Sequence, residues 1–262
     1  MATPRVLILR APGTNCDLET EVAFQQAGAV PTRLHVNRLL ENPHLAKEFQ
    51  ILCFPGGFSY GDDIAAGRIL AVQIQAHLSG MLNDFRTADK LVLGICNGFQ
   101  IMMRLGIFFD DSEKNAPPAT LTLNAQGRFE DRWIHLKKTG DRCVFLRGID
   151  QVHLPMAHAE GRFAVRDDAA LQRLEANGQL VLRYCKPDGT GANETLSFPD
   201  NPNGATSNVA GICDASGRIF GLMPHPERYL LPTNHPNWTR WDQLPEKGAG
   251  AKFFENAVEY FQ

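Results

Sequence analysis

The sequence predicts an α/β fold: a flavodoxin-like, mostly parallel sheet with helices on both faces, plus a smaller antiparallel β portion in the second half. Three observations carry this expectation. Short apolar runs alternate with helix-period segments through the first half, the order of a parallel sheet with crossover helices. Two of those runs, Ile51-Leu52-Cys53-Phe54 and Leu91-Val92-Leu93-Gly94-Ile95, are apolar nearly throughout, as strands buried on both faces must be. In the second half the strand-like runs follow one another with little helix between them.

Residues 5–9 read as the first strand and 11–16 as a loop, followed by a helix over 17–27 that Gly28 stops. Residues 32–36 alternate like a strand, and 39–49 form a short helix broken near Pro43. The strand 51–54 runs into Pro55-Gly56-Gly57. A long helix is expected over 64–85, with Gly67 and Gly80 near its ends. The strand 91–95 and a mostly apolar helix over 97–105 complete the first half. Short strands follow at 120–124, 132–137 and 151–154, then a helix at 169–177 and a strand at 180–185. Runs 209–214 and 218–223 flank Ala215-Ser216-Gly217, a hairpin signal. Residues 230–250, with several Pro, Asn and Trp residues, are expected to wrap the surface, and 251–261 closes the chain as an amphipathic helix. With no internal repeat or clear linker, residues 1–262 are expected to form one domain.

Of the 262 residues 44% are hydrophobic and 21% charged, and the formal charge is −3. That balance offers no electrostatic reason for a nucleic-acid or membrane partner. No apolar run approaches the roughly 20 residues of a membrane span, and the N-terminus leads into the strand 5–9 and does not read as a secretory signal. The six cysteines lack CxxC spacing, which argues against a zinc site or a disulfide framework. The expected location is the cytoplasm.

Chemistry concentrates at three strand ends. Gly94-Ile95-Cys96-Asn97-Gly98 ends a buried strand and opens a helix. A nucleophile on such a turn needs an unusual backbone angle, and glycines on either side let strand and helix close around it. The helix N-terminus is then aimed at the sulfur and favours thiolate. A core cysteine between two glycines is the bland alternative. Pro55-Gly56-Gly57-Phe58-Ser59 could turn backbone N–H groups toward a developing oxyanion, or could be a plain tight turn. No Gly-Lys-Ser/Thr follows, so it fails as a phosphate loop. In Met223-Pro224-His225-Pro226-Glu227, prolines restrict the backbone on both sides of a histidine with a carboxylate two residues on, the pattern of an oriented base; the alternative is a surface turn. No second histidine at ligand spacing accompanies His225, so no metal is expected.

Taken together, Gly94-Ile95-Cys96-Asn97-Gly98-Phe99-Gln100 and His225-Pro226-Glu227 resemble the Cys-His-Glu triad of the class I glutamine amidotransferases. Pro12-Gly13-Thr14-Asn15-Cys16-Asp17, Pro55-Gly56-Gly57-Phe58-Ser59-Tyr60-Gly61-Asp62, His158-Ala159-Glu160-Gly161-Arg162-Phe163 and Asn201-Pro202-Asn203-Gly204 narrow the resemblance. They are similar to the glutaminase subunits of phosphoribosylformylglycinamidine synthases, from purine biosynthesis. Ala159 stands where that family usually has glycine, Ala205 where serine often follows, and residues 108–133 match its pattern poorly.

The resemblance implies that Cys96 attacks the side-chain amide of glutamine, with His225 as base and Glu227 orienting it. It implies an oxyanion hole from the main-chain N–H groups of Gly57 and Asn97, and substrate contacts from Phe58 and Gln100. His158, Glu160 and Arg162 are assigned to a partner interface or ammonia passage. No cofactor is expected on this chain. ATP and Mg are expected on a large synthetase subunit that uses the ammonia to convert formylglycinamide ribonucleotide, with a small bridging subunit in many bacteria. The triad alone would also suit a glutaminase subunit serving another acceptor. A Cys-dependent hydrolase or redox protein on a flavodoxin-like fold need not carry His225 and Glu227, and an inactive binding module need not keep all three residues.

Overall fold

The computed structural model describes residues 3–113 and 116–262. Its frame is one nine-stranded sheet in the order β2-β1-β3-β4-β11-β10-β9-β6-β7. The strands β1 (Arg5–Arg10), β2 (Val30–His35), β3 (Ile51–Phe54), β4 (Leu91–Ile95) and β11 (Ile219–Leu222) run parallel. The strands β10 (Val209–Cys213), β9 (Leu180–Tyr184), β6 (Glu130–Lys138) and β7 (Gln151–His158) continue the same sheet antiparallel. A separate two-stranded sheet pairs β5 (Ala119–Thr122) with β8 (Arg162–Val165).

Every residue of β3, β4, β9, β10 and β11 is buried, so both faces of the sheet centre are covered. The helix α1 (Asp17–Gln26) packs against α7 (Ala251–Glu259) through an edge-to-face pair of Phe24 and Phe254, 5.0 Å between ring centres. The helix α5 (Asn97–Leu105) lies along β3, β4 and β11 and packs on α3 (Arg68–His77). Gly67 starts α3 in the left-handed region at φ 70°; a Cβ there would come within 2.8 Å of Ile101 on α5. The helices α2 (Val36–Glu41), α4 (Ser79–Thr87) and α6 (Asp168–Ala176) complete the set.

Three elements differ from expectation. The long helix over 64–85 is two helices, α3 and α4, parted at Leu78, whose dihedrals (φ −124°, ψ 16°) leave the helical region while its side chain stays in the core. β7 extends through Pro155 to His158; proline is tolerated because β7 is the last strand of the sheet and has a free side. β8 has no signature in the sequence, because only Phe163 of its four residues is buried and no apolar run or alternation results. Residues 230–250 form an irregular segment with two short 3-10 turns. Its ends are pinned where Gly248 N–H donates to Leu230 O at 2.7 Å and Gly250 N–H to Tyr229 O at 3.0 Å. No helix among the described residues is long and apolar enough to cross a membrane.

Candidate active site

Because β1, β3, β4 and β11 are adjacent and parallel, their carboxyl ends open on the same side, where ligands of such sheets collect. Those ends deliver, in spatial order, Cys16, Gly57, Cys96 and His225. β7 reaches the same edge: its Pro155 O accepts the His225 N–H at 2.8 Å, and its Ala157 O lies 3.7 Å from Cys96 Sγ.

Cys96 has φ 51° and ψ −107°, a strained conformation for a non-glycine residue, and it is 5% exposed. Its neighbours explain how the turn closes. A Cβ on Gly98 would lie 1.8 Å from Phe54 O, and one on Gly94 2.3 Å from Met102 Sδ. Strand and helix therefore approach as glycine alone allows. The Asn97 N–H sits at the first position of α5, where a helix amide has no intrahelical acceptor. At Gly57 φ is +137°, and a Cβ would meet Asn15 N at 2.6 Å.

Asn97 also ties these two loops. Its Oδ1 accepts the Ser59 N–H at 3.1 Å, while its Nδ2 donates to Asp62 Oδ1 at 3.1 Å and Gln100 Oε1 at 3.0 Å. Gln100 Nε2 in turn donates to Glu160 O at 2.6 Å. Burial pushes the Asp62 carboxyl up from its ordinary range. The Glu160 carboxylate receives the Ala66 N–H at 3.4 Å and pairs with Arg104 at 3.7 Å.

His225 and Glu227 are both 2% exposed, and His225 Nδ1 lies 2.6 Å from Glu227 Oε1. Burial alone would depress the imidazolium. The charges of Glu227 and then Cys96 outweigh it and hold the His225 pKa well above the usual histidine range. His225 Nε2 and Glu227 Oε2 are buried without a hydrogen-bond partner among the described residues. The sulfurs of Cys96 and Cys16 are thus the imidazole's reactive neighbours.

A cavity of about 180 Å³ joins Cys96, Gly57, Phe58, Asp62, Gln100, His158 and Glu160. Larger clefts, of about 630 and 530 Å³ around Arg183, contain none of these residues, so chemistry and not size picks out this one. Phe58, 45% exposed, stands at its mouth, 6.4 Å from the Phe129 ring.

His158 is 2% exposed, which leaves it no surface to offer a partner. Burial and then the nearby His225 depress its pKa to about 3, so it is neutral. Its tautomer follows from Asn124. The Asn124 amide nitrogen donates to the carbonyls of Arg128 (3.0 Å) and His158 (2.8 Å), so Oδ1 must accept from His158 Nδ1–H at 3.1 Å. His158 Nε2 is then a buried acceptor without a partner among the described residues. Arg162, on β8, also keeps its Nε buried and without a partner among the described residues.

The fold thus brings together Cys96, His225, Glu227, Gly57, Asn97, Phe58, Gln100, His158 and Glu160. It adds Cys16, Asp62 and Asn124, to which sequence reasoning assigns no role. Cys16 and Asp62 lie inside motifs that the sequence does single out. For Asn124 the sequence carries no signal.

Residues 3–261 match the CobB/CobQ-like glutamine amidotransferase domain family. The chain is 44% identical over 261 residues to phosphoribosylformylglycinamidine synthase subunit PurQ of Dehalococcoides mccartyi, covering 99% of this chain and 98% of that one. It is 41% identical over 268 residues to the corresponding PurQ of Methanococcus maripaludis, covering 98% and 97%. Among solved structures, a chain of PurLQS from Thermotoga maritima superposes with a TM-score of 0.72 at 26% identity, over all of both chains. Another glutamine amidotransferase from Thermotoga maritima, 16% identical with a TM-score of 0.53 over 92% of this chain and 82% of that one, shares the fold.

Proposed function

The chain belongs to the CobB/CobQ-like glutamine amidotransferase family, and from that premise we propose that it is the glutaminase subunit of a phosphoribosylformylglycinamidine synthase. The near-full-length identity to PurQ subunits supports the acceptor assignment. The observation that carries the chemistry is a nucleophile turn at Cys96 (φ 51°) facing an imidazole held 2.6 Å from a buried carboxylate.

Cys96 Sγ attacks the carboxamide carbon of glutamine while His225 takes the thiol proton. The oxygen becomes an oxyanion between the N–H groups of Gly57 and Asn97, each contributing about 3 kcal/mol in comparable sites. His225 returns the proton to the departing nitrogen, and ammonia leaves. Water, activated by His225, then cleaves the glutamyl thioester to glutamate and free thiol. Glu227 keeps the imidazole oriented throughout. Phe58 closes the mouth of the substrate cavity and Gln100 lines it. His158, Glu160 and Arg162 belong to the side from which ammonia departs.

The partner is the large synthetase subunit, PurL in the T. maritima complex, with ATP and Mg on that subunit, no cofactor on this chain, and a small bridging subunit where one exists. Free ammonia would protonate in neutral water and lose its nucleophilicity, so the transfer calls for a closed interface. The location is the cytoplasm.

The test is to mix the chain with the candidate synthetase, ATP and formylglycinamide ribonucleotide, and measure glutamate release. Strong stimulation on mixing is expected, with none in Cys96→Ala, which still supports synthesis from concentrated ammonia. Undiminished glutamate release by Cys96→Ala would exclude the nucleophile, and intact activity in His225→Ala would exclude the base.

A further inference from the structure

Cys16 is a second thiol beside the catalytic imidazole. It is 1% exposed and takes no part in the proposed glutaminase steps. Its Sγ, a ring nitrogen of His225 and a carboxylate oxygen of Glu227 all lie within 4.8 Å of one another. Three donors on one tetrahedral zinc ion stand about 3.5 Å apart, so side-chain rotation of roughly 1 Å would bring these into ligand geometry. Two further facts set the cluster apart from an accidental grouping. Glu227 Oε2 is a buried polar atom without a partner among the described residues, so the carboxylate has an electron pair to spare for an ion. And a Cβ on Gly56 would lie 2.9 Å from His225 Cε1 and 3.2 Å from Cys16 Sγ, so a glycine keeps this side of the imidazole open to the thiol.

From this geometry we propose that Cys16, His225 and Glu227 form an inhibitory site for a thiophilic divalent cation of the zinc and cadmium class. The inhibition rests on the glutaminase reading; the binding does not. The ion replaces the proton between His225 Nδ1 and Glu227, Cys16 joins as thiolate, and both displaced protons pass to solvent. The base is then unavailable to Cys96, although the nucleophile is not itself a ligand. Selectivity follows from Arg228, whose Nη2 donates to Cys16 Sγ at 3.1 Å. The guanidinium repels a cation that gains little from sulfur. Magnesium, which prefers oxygen ligands and keeps its waters, is therefore excluded.

The test uses the whole chain without glutamine, titrated with cobalt(II) as a spectroscopic stand-in and with zinc by calorimetry. One ion per chain and a thiolate-to-cobalt charge-transfer band are expected for the wild type and for Cys96→Ala. Cys16→Ala and Cys16→Ser lose the band and weaken zinc binding at least about tenfold, a lower bound set by what even outer-sphere partners contribute. Thermal unfolding shows which of the two variants is folded and is the one to read. In the glutaminase assay, zinc inhibition reversed by a chelator is expected in wild type and lost with Cys16. A band that survives in a folded Cys16 variant, or that vanishes in Cys96→Ala, overturns the site. If the band behaves as expected and zinc leaves glutamate release unchanged, the inhibitory role falls and the metal site stands.

Discussion

The Asn97 side chain accepts the Ser59 backbone N–H at 3.1 Å, and this bond couples the two loops whose amides are proposed to hold the oxyanion. One amide belongs to Asn97 itself. The other belongs to Gly57, two residues before Ser59. Their spacing is therefore coupled through a buried side chain that is also bonded to Asp62 and Gln100.

Asn97→Ala is accordingly expected to lower kcat for glutamine by up to about 10²-fold, the cost of a misplacement of roughly 1 Å. KM should change far less, because the main-chain donor survives. Steady-state glutaminase kinetics check this, and a change confined to KM would contradict it.

Gly98→Ala and Gly80→Ala make a matched pair. A Cβ at Gly98 would lie 1.8 Å from Phe54 O, so alanine is expected to destabilise the chain by about 1–3 kcal/mol and to displace the nucleophile turn. At Gly80, on the exposed side of α4, a Cβ would meet no atom of the described residues within 4 Å, and φ is not positive. Alanine there is expected to be neutral or to stabilise by about 0.4–1 kcal/mol. Denaturant unfolding of the two variants gives the comparison.

Glu227→Gln is expected to move the acid limb of the glutaminase pH profile, where the imidazole must be free of its proton to take that of the thiol, toward lower pH, and to reduce kcat. The Glu227 charge is the first of the effects that outweigh burial and hold the His225 imidazolium above the usual range. A raised pKa in the folded chain also stabilises it below the unfolded value of about 6.5. That contribution disappears as pH rises through the folded value, and the variant should show less of this alkaline loss.

Acid stability runs the other way. His153, depressed to about 4, His158, depressed to about 3, and His135 and His235, both lowered, stay neutral in the fold chiefly because of burial. The unfolded chain takes up protons near pH 6.5 that the folded chain refuses, so stability is expected to fall as pH drops from about 6.5 toward 4. His153 packs between the His135 ring, 4.0 Å away, and His235, whose Nε2 is 2.9 Å from its Nδ1. Through His235 the cluster fastens residues 230–250 to β6 and β7. His153→Gln should flatten the acid limb of a Tm-versus-pH curve, and an unchanged slope would assign the loss elsewhere.

The parallel half of the sheet was legible because its strands are short, apolar and separated by helix-period segments. Period and punctuation are local properties. The antiparallel half was harder. Pro155 reads as a strand end until β7 is known to be an edge strand, and β8 exists because β5 is there to pair with it.

By itself the sequence determined the local chemistry. Gly94 and Gly98 impose the turn at Cys96, and the prolines around His225 hold it beside Glu227, since both depend on residues within a few positions of each other. Only the tertiary structure decided what those groups face. The parallel order β1-β3-β4-β11 puts four loops at one edge, so Cys16, from the start of the chain, meets His225 and Arg228 near its end. The same folding buries His158 and leaves its Nε2 without a partner among the described residues. Such contacts depend on strand order and burial, which sequence spacing does not encode.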